Sequence, residues 1–160
     1  HSKLNPPLRT TEDELALREG LADGTIDAVA TDHAPHPSED KECEWSAAAF
    51  GMLGLETALS VVIESMVNTG LLDWAGVADR MSVRPAAIGR VKDQGGLLEP
   101  GQPAHVTLVD ESVSWTVRPE ELASRSRNTP YRERVLPGRV VHTIFNGKPT
   151  VIDGRTERVH

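Results

Sequence analysis

The hexapeptide Thr31-Asp32-His33-Ala34-Pro35-His36 packs a carboxylate and two imidazoles into one short stretch. Asp32 could ligate a metal or act as a general base, and His33 and His36 could be metal ligands, acid/base groups or anion binders. The plainer alternative is that Asp32 caps a turn and both histidines hydrogen-bond to loop backbone. A second candidate is Lys3-Leu4-Asn5-Pro6-Pro7-Leu8-Arg9. Pro6 biases Asn5 away from helix, so its amide, both donor and acceptor, is held out where it could read a ureide or imide edge. The same prolines could equally be a stiff link. Cys43, set among Asp40, Glu42 and Glu44, lies in an acidic surrounding that disfavours a thiolate, and reads as an incidental thiol.

The elements around these residues speak α/β language. Thr11 with Glu14 forms a capping-box pattern opening a helix to about Ala22, and Gly24 stops it. Ile26 to Thr31 is a short apolar run, as expected of a strand buried on both faces in a parallel sheet, and Asp32 then lies at its carboxyl end. Active residues gather there in barrels and open sheets, because the scaffold is rigid while the loops supply chemistry. From Asp32 to about Phe50 the chain is a long polar loop. Leu55, Leu59, Val62, Ile63, Met66 and Val67 then mark an amphipathic helix up to Gly70. Two shorter helices follow, one capped by Asp73 and running to Met81, one from Pro85 to Ile88.

After Gly95-Gly96 the pattern turns to strands: Ala104 to Asp110, Val113 to Val117, and a hairpin joining Val140–Phe145 to Thr150–Ile152 across Asn146-Gly147. A parallel strand needs parallel neighbours, and the sequence offers at most one more, near Lys3 to Asn5. The missing strands are expected from elsewhere. The opening His1-Ser2-Lys3, without an initiator Met, fits a fragment.

Composition narrows the function classes. Of the 160 residues, 38% are hydrophobic and 26% charged, which is globular rather than disordered. The 17 Lys+Arg against 24 Asp+Glu leave a net charge of −7, with no basic footprint for nucleic acid. No apolar stretch has the length of a membrane span, and the N-terminus lacks a signal-peptide layout. A cytoplasmic protein is expected.

Taken together, Asn5-Pro6-Pro7-Leu8-Arg9, a strand ending Asp32-His33-Ala34-Pro35-His36, and Phe50-Gly51-Met52-Leu53-Gly54-Leu55-Glu56-Thr57 resemble the bacterial-type (class I) dihydroorotases of the cyclic amidohydrolase superfamily. The resemblance continues through Ser82-Val83-Arg84-Pro85-Ala86, Gly95-Gly96-Leu97-Leu98-Glu99-Pro100-Gly101 and Asn128-Thr129-Pro130-Tyr131 to the final hairpin. One departure is Ala104-His105, where the superfamily usually has Ala-Asp. A larger one is that the family's His-x-His motif, its further histidine ligands and its bridging carboxylate or carboxylated lysine have no counterpart in this chain.

The resemblance implies the last strands and helices of a (β/α)₈ TIM-type barrel over residues 1–92 and the C-terminal part of a small β-sandwich domain over 93–160. A complete barrel needs about 250 residues, so this chain would be a portion, inactive alone and completed by the N-terminal remainder of the same protein. The implied reaction is the reversible, zinc-dependent cyclisation of N-carbamoyl-L-aspartate to L-dihydroorotate in pyrimidine biosynthesis. Asp32 would ligate one or two Zn²⁺ and shuttle the proton; Asn5, His36, Phe50 and Gly51 would bind substrate, the last two through backbone groups. His33 would support the loop, and Arg9 could serve the helix start or pair with a carboxylate. A homodimer or an aspartate transcarbamoylase partner also fits the family. The alternatives are a hydantoinase- or allantoinase-like enzyme, or a non-catalytic subunit that scaffolds the transcarbamoylase.

Overall fold

The computed structural model describes residues 3–157. Helices and loops occupy its first part and a four-stranded antiparallel sheet, its strands side by side in sequence order, its last. The first helix, α1 (Thr11–Asp23), is capped one residue earlier than the sequence pattern suggests. Thr10 is extended and its hydroxyl accepts from the Asp13 amide at 3.3 Å, while the Asp13 carboxylate accepts from the Thr10 amide at 3.2 Å. Thr11 is already helical, and Glu14 pairs instead with Arg18 one turn on. Gly24, with φ 94°, adopts the left-handed conformation that ends the helix.

The run from Ile26 to Thr31 forms no strand ladder, contrary to the sequence expectation, and nor does the segment at Lys3 to Asn5. The Val29 amide donates instead to the Arg80 carbonyl at 3.1 Å, so this run lies against a helical segment and keeps Asp27 and Ala30 exposed. A ladder needs a second extended backbone alongside, and the partner here is helical.

The expected long helix is α3 (Ala58–Val62) continuing into a π turn (Ile63–Val67). The two expected shorter helices join into one run: α4 (Trp74–Ala78), a π turn (Asp79–Val83) and α5 (Arg84–Ile88), with Asp73 as cap. Pro85 lacks an N–H and its ring crowds the carbonyl one turn back. The wider π turn just before it, where the Arg84 amide reaches back to Asp79 O, absorbs that crowding without ending the helix. Val62, Met66 and Val77 form the buried centre, flanked by Leu21, Val29, Leu59, Leu72 and Met81.

β1 (Val106–Thr116) unites the two expected strands across an irregularity between Asp110 and Ser114. There the Asp110 carboxylate accepts from the Ser112 amide and hydroxyl, which holds its pKa below the usual carboxylate value. β2 (Val135–Phe145) pairs with β3 (Lys148–Ile152) through Asn146-Gly147, both at positive φ as a two-residue hairpin turn requires. Asp153-Gly154 repeats that turn into β4 (Arg155–Thr156).

The sheet packs on α3. A Cβ on Gly138 would lie 2.4 Å from the Ile63 side chain. The Ser60 hydroxyl donates to Gly138 O at 2.8 Å and accepts from Trp115 Nε1 at 3.0 Å.

Candidate active site

Asp32 stands where the apolar run ends, exposed and with φ 45°, a left-handed conformation uncommon for a residue carrying a Cβ. Among the described residues no hydrogen bond or ion pair engages its carboxylate. Backbone strain of this kind collects where a side chain must be aimed for a task. From Asp32 onward the chain runs parallel to the segment after Phe50: His33 bridges Met52, and the Ala34 amide donates to Met52 O at 2.9 Å. These two segments bring Asp32, His36, Phe50 and Gly51 into one loop cluster. The Gly51 amide donates to Lys3 O at 2.9 Å, which draws in the segment carrying exposed Asn5.

Both imidazoles bind loop backbone. His33 Nδ1 accepts from the Gly54 and Leu55 amides at 3.1 and 3.2 Å, so in the neutral ring Nε2 carries the proton, and this residue braces the turn. His36 Nε2 lies 2.8 Å from Phe50 O, a distance and partner that make it the donor. Among the described residues Nδ1 has no partner. It accepts from a neutral ring and donates only when the ring is protonated.

Gly51 is required by space. Its φ is +116°, and a Cβ would fall 2.5 Å from Ala34 Cβ and 3.3 Å from His36 Nε2. Its carbonyl and amide, and the Phe50 carbonyl, are all engaged within the protein; among the described residues the Phe50 N–H has no partner. Arg9 and Cys43 are exposed and take no part in the cluster.

Three residues to which sequence reading assigned no role hold the loop. Lys41 is buried, its ammonium donating to Ala49 O and Gly51 O, both at 2.7 Å. Burial pushes its pKa down, and the nearby Lys3 cation adds to the effect. Lys3 is also buried, donates to Trp45 O at 2.7 Å and lies over the Phe50 ring at 4.6 Å. Asn128, from the turn region before β2, reaches both segments: His36 N–H donates to its Oδ1 at 3.2 Å and its Nδ2 donates to Ala34 O at 2.9 Å. Lys3 lies in the candidate segment before α1 and Asn128 in a motif that carries the resemblance, but which carbonyls they and Lys41 meet is set only when the fold buries them.

Among the described residues no three His, Cys, Asp or Glu side chains gather as an ion's ligand set. Asp32, exposed and without a partner among the described residues, is a candidate ligand, and one carboxylate does not by itself make a metal site.

Comparison with solved structures defines the class. The L-hydantoinase (dihydropyrimidinase) of Arthrobacter aurescens superposes over 98% of this chain and 35% of its own, with a TM-score of 0.88 and 31% identity. A D-hydantoinase from Thermus sp. shares the fold with a TM-score of 0.86 at 24% identity. The chain is thus the C-terminal part of an amidohydrolase TIM-type barrel followed by part of its β-sandwich. Sequence relatives are more specific. A dihydroorotase of Streptomyces coelicolor is 66% identical over 153 residues, and one of Mycobacterium tuberculosis 53% over 154, each match covering 96% of this chain and 36% of the relative. Over 96% of its length the chain is similar to these dihydroorotases, and it spans little more than a third of their length. No protein-family model matches it.

Proposed function

We propose that this chain supplies the proton-transfer and substrate-binding corner of a dihydroorotase, which interconverts N-carbamoyl-L-aspartate and L-dihydroorotate. The observation that carries the reading is Asp32: an exposed carboxylate on left-handed backbone next to the His33–Met52 bridge, without a partner among the described residues, within a sequence 66% identical to a dihydroorotase. The remainder of the same protein completes the barrel and the ligand set, and the enzyme works in the cytoplasm. Zinc, when bound, would activate water and polarise the ring carbonyl.

Asp32 is a ligand to that ion and the local base. It takes the proton of the attacking group and returns it to the departing ring nitrogen; in the direction of cyclisation it deprotonates the ureido nitrogen. His36, its Nε2–H spent on Phe50 O, meets the substrate through Nδ1. Asn5 and the Phe50 N–H read the amide edge, and Gly51 lets the loop approach closely.

The test is an assay of the complete protein against dihydroorotate, hydantoin and allantoin. Turnover of dihydroorotate with little of the other two supports the reading. Preference for hydantoin or allantoin would make it another cyclic amidohydrolase, and no turnover by zinc-loaded protein would favour a scaffolding subunit.

A further inference from the structure

We propose that Asn128 is a positioning residue for the site, the point at which the antiparallel part of the chain holds the substrate-binding loop in register; that the loop binds substrate rests on the dihydroorotase reading. Asn128 is 2% exposed and lies 92 positions from His36 in sequence. Its side-chain amide and its main-chain carbonyl both bond to the two segments of the site. Oδ1 accepts from the His36 amide at 3.2 Å, Nδ2 donates to Ala34 O at 2.9 Å and to Gly51 O at 3.4 Å, and the main-chain carbonyl accepts from the Leu53 amide at 3.2 Å. Two carbonyls on one side and an N–H on the other allow only this orientation of the amide.

The position is itself rigid. Thr129 is 1% exposed, its amide donates to Arg127 O at 2.9 Å, and its hydroxyl accepts from the Tyr131 amide at 3.2 Å. By contrast, the segments Asn128 grips share one short parallel bridge, at His33 and Met52. Backbone pairing alone sets little of their register. Asn128 spans them beyond the bridge, touching Ala34 and His36 on one side and Gly51 and Leu53 on the other. Without it, the register is left to the Ala34 amide on Met52 O, His36 Nε2 on Phe50 O and the His33 brace, and small displacements of positioning groups cost much in binding and rate.

The effect should fall on substrate binding more than on proton transfer, since Asn128 touches no group that moves a proton. In the complete zinc-loaded protein, Asn128→Ala and Asn128→Asp should raise KM for dihydroorotate about 10- to 100-fold with kcat changed far less. The Asp variant keeps the volume and the acceptor for the His36 amide but turns an oxygen toward two carbonyls. Ser60→Ala is the comparison, because it removes another buried polar link between the helical part and the sheet, at Gly138 and Trp115. It should lower Tm and leave KM unchanged.

Hydrogen–deuterium exchange over residues 34–53 gives a readout independent of turnover. Exchange there should quicken in both Asn128 variants and not in Ser60→Ala. Unchanged KM and unchanged loop exchange in either folded Asn128 variant would make Asn128 a packing residue and overturn the proposal. Wild-type protein that fails to turn over dihydroorotate would instead defeat the functional reading, and the exchange comparison would then decide the role of Asn128 by itself.

Discussion

A carboxylate that both ligates a metal and moves a proton loses charge and basicity together when it becomes an amide of the same shape. Asp32→Asn in the complete protein is therefore expected to lower kcat by about 10²- to 10⁴-fold; near-normal kcat in zinc-replete variant would remove Asp32 from the chemistry. Asn5 is exposed, and His36 hydrogen-bonds at the surface of the loop, so neither carries much of the fold. Asn5→Ala and His36→Ala should each raise KM while zinc content and Tm stay near wild type, the lost His36 bond to Phe50 O costing about 1 kcal/mol or less where water can replace it. Melting curves and steady-state kinetics on the same preparations decide between binding and structural roles. Asp32 and His36 were legible because several polar groups crowd one short stretch after an apolar run. Lys41 and Asn128 were not, because their importance lies in which carbonyls they meet.

At the scale of elements, the loop from Pro35 to Leu53 has little regular structure beyond the one-turn helix α2 (Ser38–Lys41) and is held by side chains from four places: Lys3, His36, Lys41 and Asn128. Such a loop depends on close backbone approach at Gly51. Gly51→Ala forces a Cβ against Ala34 and a backbone angle that favours glycine, and should destabilise the protein by about 1 to 3 kcal/mol and weaken substrate binding. Urea denaturation together with KM would check this, and unchanged values for both would mean that the loop yields easily. The helix boundaries show where local pattern stops being enough. Asp73 and Gly24 act as their residue types imply, but Pro85 reads as a helix start and instead lies inside a continuous helical run, because the π turn before it absorbs the missing bond.

For the whole molecule, several large apolar side chains lie at the surface. Leu8 is 70% exposed, Leu17 60%, and Leu97 and Leu98 77% and 76%. α1 buries none of its residues completely. Apolar side chains left in water favour association where they adjoin, and a catalytic zinc site normally takes about three protein ligands, of which the proposed function draws one, Asp32, from this chain. The 160-residue chain on its own should therefore associate, hold no zinc tightly and lack turnover, and mixing with the N-terminal polypeptide should yield a compact, zinc-binding, active complex. Light scattering, elemental analysis and the dihydroorotate assay measure each part. A monodisperse, zinc-loaded, active preparation of the chain alone would show it to be self-sufficient.

The sequence by itself determined which residue types are on offer for chemistry and the local signals that need only neighbours in the chain: Asp32 and His36 after an apolar run, Gly24 closing α1, Asn146-Gly147 turning β2 into β3. Each depends on backbone preferences acting over a few residues. The tertiary structure alone decided that Ile26 to Thr31 lies against a helical turn, that two expected helices are one, and that Asn128, Lys41 and Lys3 hold the site loop. Those outcomes rest on burial and on hydrogen bonds between residues as many as 94 positions apart. A buried carbonyl must find a donor wherever the fold brings one, and no periodicity in the chain records which donor that is.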